Sequence, residues 1–295
     1  MNGIVLVDKP EGVTSAGVIR ALKPRLGGTK VGHLGTLDPF ASGLLPLCVG
    51  EATKIARYLL IERKAYTGTI RLGVATDTLD RTGRVTETAP VPAVDVARLA
   101  AVARRFRGVQ HQVPPMYSAL KRGGVPLYEL ARRGVEVERR PRAIEVFELG
   151  LAPGAPERIE LVVECSKGTY VRALAAEIGR ALGTVAHLER LRRTAVGAFR
   201  VEDARPLDAL LAGAPLPLVS VRRALAGLPA HPASAAGLAR LRRGQQDALA
   251  ELPRPGAAGE TALVVDTAGE VAAIVEAVGQ RPVWRLVRLF APPRS

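Results

Sequence analysis

Cysteine is scarce in this sequence. The 295-residue chain contains two cysteines, Cys48 and Cys165, and each lies inside an apolar run. Neither has a second cysteine at the spacing of a metal-binding or redox motif. The sequence therefore predicts two buried, reduced thiols, and it argues against a disulfide-stabilised scaffold or a cysteine-based metal site.

Long apolar runs are missing as well. No uncharged apolar stretch reaches the roughly 18 residues that a membrane-spanning helix needs. The first residues show no basic region followed by an apolar run, which a secretory signal would have. Hydrophobic residues make up 47% of the chain and charged residues 24%, an ordinary globular composition. We therefore expect a soluble, cytoplasmic protein with no membrane partner, long enough for two domains.

Acidic residues are outnumbered by basic ones. The chain has 42 Lys and Arg against 28 Asp and Glu, a formal net charge of +14. The basic residues recur in small clusters along the chain, and each cluster alone is typical of a solvated surface. Their total excess favours a polyanionic partner such as a nucleic acid. The clusters are Arg104/Arg105/Arg107, Arg132/Arg133, Arg139/Arg140/Arg142, Arg190/Arg192/Arg193 and Arg240/Arg242/Arg243.

Apolar periodicity predicts a mixture of strands and helices. Because these elements do not alternate regularly as β–α–β units, an α+β sheet with antiparallel pairing is favoured over a doubly wound parallel one. The pattern breaks at a Gly/Pro-rich segment near residues 213–217, which predicts a first domain over residues 1–218 and a small β-rich domain over 222–295. Strands are predicted at 3–8, 43–49, 64–73, 144–151, 159–165, 261–266, 270–278 and 283–290, and helices after Thr14 or Ser15 and at 51–60, 95–106, 127–133 and 170–182.

Residues 32–46 combine three glycines, two prolines, one histidine and one aspartate. The glycines allow tight turns or a close approach to a ligand. Pro39 disfavours helical geometry at Asp38 and holds it in an extended or turn conformation. This pattern is typical of a presented carboxylate, although a structural Asp-Pro turn has the same composition.

The segment 32–46 resembles the catalytic motif of the TruB family of pseudouridine synthases. Further segments resemble family motifs in the same order along the chain, so that the likeness covers residues 3 to about 200. These segments are Val7-Asp8-Lys9-Pro10, residues 50–54, Lys64-Ala65-Tyr66, residues 76–80, residues 113–121 and residues 165–172. Residues after about 222 resemble, more faintly, the PUA-type RNA-binding domain.

The resemblance implies a pseudouridine synthase fold, with a mixed, largely antiparallel central sheet flanked by helices and a PUA-like C-terminal domain. It also implies an enzyme that isomerises a uridine in the T loop of transfer RNA, position 55, after flipping the base out of the loop. The reaction has no redox step, so no cofactor and no metal are expected. The T arm of tRNA is the expected partner, and the expected protein is a monomer with no obligatory protein partner.

The same resemblance assigns catalytic roles to three residues. Asp38 would be the catalytic carboxylate, acting as a nucleophile or base as carboxylates do in other glycosidic chemistry. Arg172 would pair with Asp38, keeping it charged and oriented. Tyr66 would stack on the uracil and take the C5 proton. On pattern alone, Arg172 also fits a surface position on a helix, and Tyr66 a core position on a strand.

Six further residues are expected to bind the RNA or the substrate. Leu191 would pack on the target base from the side opposite Tyr66, and His33 would stack among the loop bases after flipping. Asp80 would contact the loop or the active-site network. The remaining three are Tyr170, in the motif that carries the active-site arginine, and Lys9 and Lys64, which would supply charge near the cleft.

Other functions fit parts of the sequence less well. An RNA chaperone would need the basic surface but not the combination of Asp38, Tyr66 and Arg172. A nucleotide hydrolase would need a P-loop, and neither residues 27–30 nor residues 50–54 have its spacing. A synthase within a guide-RNA particle would have a similar catalytic domain, but the chain has no long basic terminal extension, which favours a stand-alone enzyme.

Overall fold

A computed structural model describes residues 1–60 and 63–291 of the chain. The first part contains fifteen described strands, seven α-helices and two 3₁₀ helices (Gly50–Ile55 and Val201–Asp203). The strands are β1 (Gly3–Lys9), β2 (Val31–His33), β3 (Ser42–Val49), β4 (Lys64–Leu72), β5 (Val74–Thr76), β6 (Val85–Thr88), β7 (Gly108–Gln112), β8 (Lys121–Arg122), β9 (Val125–Pro126), β10 (Arg142–Pro153), β11 (Arg158–Cys165), β12 (Ala186–Val196), β13 (Phe199–Arg200), β14 (Arg205–Pro206) and β15 (Leu218–Val219). The α-helices are α1 (Ser15–Leu22), α2 (Ala56–Leu59), α3 (Val96–Phe106), α4 (Leu127–Arg132), α5 (Val171–Ala181), α6 (Leu207–Leu211) and α7 (Val221–Ala224).

One large mixed sheet organises this part of the chain. Its described strands run in the order β14-β1-β3-β12-β4-β11-β10-β7, with β2, β13 and β15 pairing at its sides. Most neighbours are antiparallel, whereas β1 with β14 and β3 with β12 are parallel. The predicted α+β architecture with a largely antiparallel sheet is therefore confirmed.

The main core lies between the sheet and helices α3 and α5. Helix α5 buries Leu174 and Ile178, and α3 buries Leu99 and Phe106, against residues of β4, β10 and β11 such as Ile70. These helical residues recur at the three- and four-residue spacing of one helix face. Because this packing fixes α5 against β12, the first turn of α5 is held at the level of the loop before β3.

The C-terminal part forms a second sheet that shares a core with the first. Its elements are β16 (Ala230–Pro232), α8 (Ala235–Arg242), a 3₁₀ helix at Gln246–Glu251, β17 (Thr261–Val265), β18 (Val271–Val278) and β19 (Val283–Leu289). The strand order is β16-β17-β18-β19. Leu263 and Ile274 of this sheet pack with Ile4 and Ile55 of the first part. The β-rich C-terminal region agrees with the sequence, and the boundary at residues 218–222 stays a prediction.

One local difference from the predicted elements has a physical cause. The helix expected over 51–60 begins as a 3₁₀ helix, Gly50–Ile55, and only Ala56–Leu59 is α-helical. Gly50, with φ +60°, turns the chain sharply out of β3, and a side chain there would collide with the Met1 carbonyl and the Asn2 side chain.

Among the described residues, no helix is both long and apolar enough to cross a bilayer.

Candidate active site

A cavity of about 290 Å³ lies where the loop before β3 meets the start of α5. It is bordered by the loop 35–38, the beginning of β4, the segment 118–120, the first turn of α5 and the middle of β12. Six of the nine residues predicted from the sequence line it: Asp38, Lys64, Tyr66, Tyr170, Arg172 and Leu191. The other lining residues are Gly35, Thr36, Leu37, Ser118, Ala119, Leu120, Gly168, Thr169, Val171 and Arg193.

Asp38 lies in a loop that is fixed at several points. Ser15, in the first turn of α1, both donates to the Leu37 carbonyl at 3.0 Å and accepts from the Leu37 amide at 2.9 Å. The Asp38 carbonyl accepts from the Ala41 amide at 3.1 Å, which closes a turn around Pro39. The Asp38 side chain remains 34% exposed. A carboxylate on a rigid loop is therefore open to a ligand in the cavity.

Gly43 closes this loop at its far end. Its φ is +104°, a conformation that side chains disfavour, and a Cβ there would lie 2.3 Å from the Arg193 carbonyl. Only glycine permits this close approach of β3 to β12. The parallel pairing of Gly43 with Arg193 thus depends on the missing side chain.

Arg172 is buried in the first turn of α5, and its side chain is 4% exposed. Its Nε donates to Asp38 Oδ2 at 2.8 Å. Its Nη1 donates to the Thr78 carbonyl at 2.7 Å, and its Nη2 donates to the Tyr117 carbonyl at 2.9 Å. Because the guanidinium is planar and rigid, these three hydrogen bonds together fix its position and orientation. Asp38 is consequently held in one orientation toward the cavity.

Asp80 supports Arg172 from the other side. Its Oδ2 lies 3.6 Å from Arg172 Nη1. Its Oδ1 accepts from the Thr78 hydroxyl at 2.9 Å and from the Thr82 amide at 2.9 Å. Leu79, between Thr78 and Asp80, has a φ of +63°, which is costly for a branched side chain. In this turn, the Thr78 carbonyl and the Asp80 carboxylate both face the Arg172 guanidinium.

Tyr66 and Leu191 lie on the same face of the sheet, on adjacent strands. Tyr66 pairs with Arg193 and Leu191 pairs with Gly68 across β4 and β12, so the two side chains are diagonal neighbours. They are 7% and 5% exposed. The pKa of Tyr66 is raised, chiefly by burial, and the Arg193 charge opposes that rise. Its resting side chain is therefore a neutral phenol with an apolar neighbour.

Tyr170 directly precedes α5 and is half-buried at the cavity edge. Gln112, at the end of β7, fixes its backbone twice: Gln112 Oε1 accepts from the Tyr170 amide at 2.8 Å, and Gln112 Nε2 donates to the Tyr170 carbonyl at 3.1 Å. Burial raises the pKa of the Tyr170 hydroxyl. Gln112, itself buried, therefore sets the start of the helix that carries Arg172.

The two lysines are buried side chains and not surface charges. Lys9 is 0% exposed, and its ammonium donates to the carbonyls of Pro10 and Val13, both at 2.8 Å, and to that of Pro39 at 3.4 Å. Burial lowers the pKa of Lys9 to about 8. The structure thus places Lys9 behind the Asp38 loop. Lys64, at the start of β4, lines the cavity, and its ammonium donates to the Leu60 carbonyl at 3.3 Å.

His33 lies outside the cavity, on β2 opposite Leu47. The ring is half-buried, and its Nδ1 has no hydrogen-bond partner. Burial, followed by the nearby Arg193 charge, lowers the pKa of His33, so the ring is neutral near pH 7. A neutral ring at the rim of the Asp38 loop suits stacking on an RNA base.

The sequence did not point to Arg193, which is fully buried and lines the cavity. It belongs to a basic cluster that was interpreted as a solvated surface, and for this residue that interpretation is wrong. Between the two bulges of β12, the buried side chains of Leu191 and Arg193 alternate with that of Arg192, which is only half-buried. A two-residue period that starts at Leu191, which is expected to face the base, therefore identifies Arg193 as the inward-pointing arginine of this cluster.

No candidate metal cluster occurs within residues 1–60 and 63–291. The polar groups that converge on the cavity are one carboxylate, cationic side chains and hydroxyl groups. In such a set, the cationic side chains can hold the carboxylate in one orientation beside a flat ligand that is buried in the cavity.

Comparison with known proteins places this geometry in a family context. A family model described as TruB family pseudouridylate synthase (N terminal domain) matches residues 23–171, and one described as tRNA pseudouridylate synthase B C-terminal domain matches residues 172–214. These two matches meet between Val171 and Arg172, inside the cavity wall.

Several curated relatives are named tRNA pseudouridine synthase B. The one from Psychrobacter cryohalolentis is 51% identical over 69% of this chain, and the chain spans 58% of that relative's length. The one from Bordetella avium is 49% identical over 72% of this chain and 88% of its own length. A solved structure, the Cbf5-Nop10-Gar1 complex, contains a chain that is 25% identical, with a TM-score of 0.73 over 98% of this chain and 85% of that one.

Proposed function

The chain belongs to the TruB family of pseudouridine synthases, and from this we propose that it isomerises one T-loop uridine of tRNA to pseudouridine, with Asp38 as its catalytic carboxylate. The observation that carries the proposal is the contact of Asp38 with the buried Arg172 in a cavity suited to one base. A carboxylate fixed in this way is what cleavage of a glycosidic bond requires.

The reaction breaks the bond between uracil N1 and ribose C1′ and joins C1′ to C5 instead. The electron pair of the broken bond stays on the uracil, which rotates within the cavity before C5 attacks C1′. The C5 proton then leaves and N1 gains a proton, so the product is an isomer of the substrate. Because atoms and electrons balance without a further reactant, we propose that the enzyme needs no cofactor.

Tyr66 and Leu191 would enclose the uracil while it rotates. Stacking of a base on an aromatic side chain contributes about 1–3 kcal/mol. The raised pKa of Tyr66 keeps it protonated at neutral pH, which favours stacking as its role in the resting enzyme. Transfer of the C5 proton to Tyr66 would first require ionisation of the phenol, and Arg193 is the neighbour that lowers its pKa.

His33→Ala should lower activity about 10-fold on folded tRNA and by no more than about 2-fold on an unstructured T-loop oligonucleotide. The reason is that flipping a base out of a folded loop costs a few kcal/mol, which an unstructured strand does not require. Single-turnover rates on the two RNAs measure the difference. His111→Ala, on the exposed edge strand β7, is the matched control. Equal losses on both RNAs would contradict a stacking role for His33.

A basic groove adjoins the active-site cavity. It has a volume of about 280 Å³ and shares Leu120 with the cavity. Its lining includes Lys121, Arg122, Arg139, Arg140 and Arg142. Five cations beside the pocket for the target base favour a path for the RNA backbone along this groove.

Replacing both Arg140 and Arg142 by glutamine should lower the salt dependence of tRNA binding. Each lost phosphate contact should reduce the slope of log Kd against log salt concentration by about 1, and so by about 2 for the pair. Titrations at several salt concentrations give the slopes. The same change at Arg104 and Arg105, which are exposed on α3, should leave the slope unchanged. A wild-type affinity independent of salt would exclude phosphate contacts in this groove.

We further propose that the enzyme works in the cytoplasm as a single chain, without an obligatory protein partner, and that the C-terminal sheet contributes to RNA binding. The solved relative is part of a complex with Nop10 and Gar1. Full activity of the purified chain, together with a monomeric mass in solution, would support the single-chain proposal. Activity that requires an added protein would refute it.

The function is tested by incubating the purified protein with an unmodified tRNA transcript and mapping pseudouridine by carbodiimide labelling and primer extension. One new stop at the T-loop uridine is expected. Tight tRNA binding without any stop would favour an RNA chaperone instead.

A further inference from the structure

Arg193 ties together the two ends of the loop that carries Asp38. Its Nε donates to the Leu44 carbonyl at 2.8 Å, beyond the loop. Its Nη2 donates to the Gly35 carbonyl at 3.1 Å, and its Nη1 donates to the Thr36 carbonyl at 3.3 Å, before the loop. One rigid guanidinium thus spans the base of the loop, with Asp38 at the far side.

Within the part of the chain that the structure describes, the charge of Arg193 has no carboxylate partner. Among the ion pairs of the described residues, none includes Arg193. Its side chain is fully buried, and arginine does not deprotonate in proteins. Burying a charge without a counterion costs several kcal/mol. Three carbonyl groups accept from its N–H donors but leave a permanent positive charge in the cavity wall.

This charge also acts on the side chains around the cavity. It lies across the strand pair from Tyr66 and lowers the pKa of that tyrosine against the larger effect of burial. It also contributes to the lowered pKa of His33. Its field therefore acts on both sides of the Asp38 loop, and the full burial of the guanidinium limits how far water screens its charge.

We propose that Arg193 is a positioning residue for the synthase reaction, which holds the Asp38 loop in its working geometry and supplies positive potential to the uracil while the base is detached from the ribose. This inference rests on the proposed function, because the detached uracil arises only in that reaction. When N1–C1′ breaks, both electrons remain on the uracil and make it an anion until C5 bonds to C1′. A fixed cation beside Tyr66 complements that negative charge without any rearrangement.

Geometry and charge can be separated with small molecules. Arg193→Ala leaves a space that a free guanidinium ion can fill. Arg193→Lys keeps the positive charge, but its single nitrogen cannot span the three carbonyl groups. Arg190→Ala, which removes an exposed arginine of the same strand, is the control. Single-turnover tritium release from C5-labelled tRNA and the tRNA Kd are measured for each. The Ala variant is assayed alone, with millimolar guanidinium chloride, and with urea at the same concentration.

We expect Arg193→Ala to lose about 100-fold in rate, the effect of a displacement of about 1 Å in a catalytic group. Its tRNA Kd should change little. Guanidinium should restore part of the rate and urea, its neutral analogue, should not, while the Lys variant should fall between Ala and wild type. The Arg190 control should keep the wild-type rate.

Three results would overturn the inference. The first is a wild-type rate for Arg193→Ala. The second is equal restoration of the Arg193→Ala rate by urea and by guanidinium. The third is a loss of rate that is matched by an equal loss of tRNA binding and that neither added guanidinium nor the Arg193→Lys change restores. The last would assign Arg193 to folding alone. Wild-type protein that releases no tritium would instead refute the proposed function, so the two failures are distinguishable.

Discussion

Asp38→Asn should abolish pseudouridine formation while tRNA binding stays within a few-fold of wild type. Asparagine has nearly the same size as aspartate and can still accept from Arg172 Nε, so the loop geometry should persist. It is neither a nucleophile nor a base, and removing such a group from an active site costs about 10⁴-fold or more in rate. Tritium release under single-turnover conditions, beside a filter-binding titration, measures both quantities.

Asp95→Asn is the control for this change. Asp95 caps α3 by accepting from the Arg98 amide at 2.7 Å, and asparagine caps helices equally well. The control should therefore keep full activity. Product formation by Asp38→Asn at the wild-type rate would remove Asp38 from the chemistry and, with it, the proposed mechanism.

Arg172→Met should cause the second-largest loss, about 10²- to 10³-fold in rate, because misplacement of a reacting group has costs of this order. The change leaves Asp38 without its fixed partner and leaves the carbonyls of Thr78 and Tyr117 without theirs. The change also leaves the buried carboxylate of Asp80 without its partner, and an uncompensated buried charge destabilises a protein by about 3–5 kcal/mol, so the unfolding midpoint should fall as well. Thermal unfolding and single-turnover assays measure the two effects.

Two further variants separate stability from positioning. Arg180→Met, on the exposed side of the same helix, should leave activity and stability near wild type. Arg172→Lys should recover much of the stability but little of the rate, since a single nitrogen cannot span the three acceptors that Nε, Nη1 and Nη2 of Arg172 reach separately. A lysine variant with full activity would show that the charge at this position suffices and that the orientation of Asp38 is set elsewhere.

Elements with strong periodicity could be predicted from the sequence. The strands at 3–9, 64–72 and 158–165 and the helices at 96–106 and 171–181 lie within about two residues of the predicted ranges. In each, local spacing of apolar side chains reflects a core face. The residues of 51–60 form a 3₁₀ turn and a short helix, because Gly50 has to redirect the chain after β3.

The residues that line the cavity could be predicted from the sequence only in part. Arg172 does not belong to the apolar face of α5, so the local sequence does not explain its burial. Its hydrogen-bond partners are Asp38, Thr78 and Tyr117, all at least 55 residues away in the chain. The family resemblance supplied what periodicity could not. Arg193 was not predicted, because its charge favoured a surface position, although it lies two residues after Leu191 on the same buried face of β12.

Lys9 illustrates a similar limit. The resemblance implied only that Lys9 supplies charge near the cleft, whereas its ammonium lies under the Asp38 loop and donates to three carbonyl groups. Together with Ser15 and Arg193, it holds the backbone on either side of Asp38. Such contacts between a side chain and a distant carbonyl leave no periodic trace in a sequence.

The central claim is tested most directly by tritium release from C5-tritiated uridine in an unmodified tRNA transcript, with purified protein and no added metal or cofactor. Our account predicts release of one tritium equivalent per tRNA, lost when the T-loop uridine is replaced by cytidine. Tight tRNA binding without any release would contradict it.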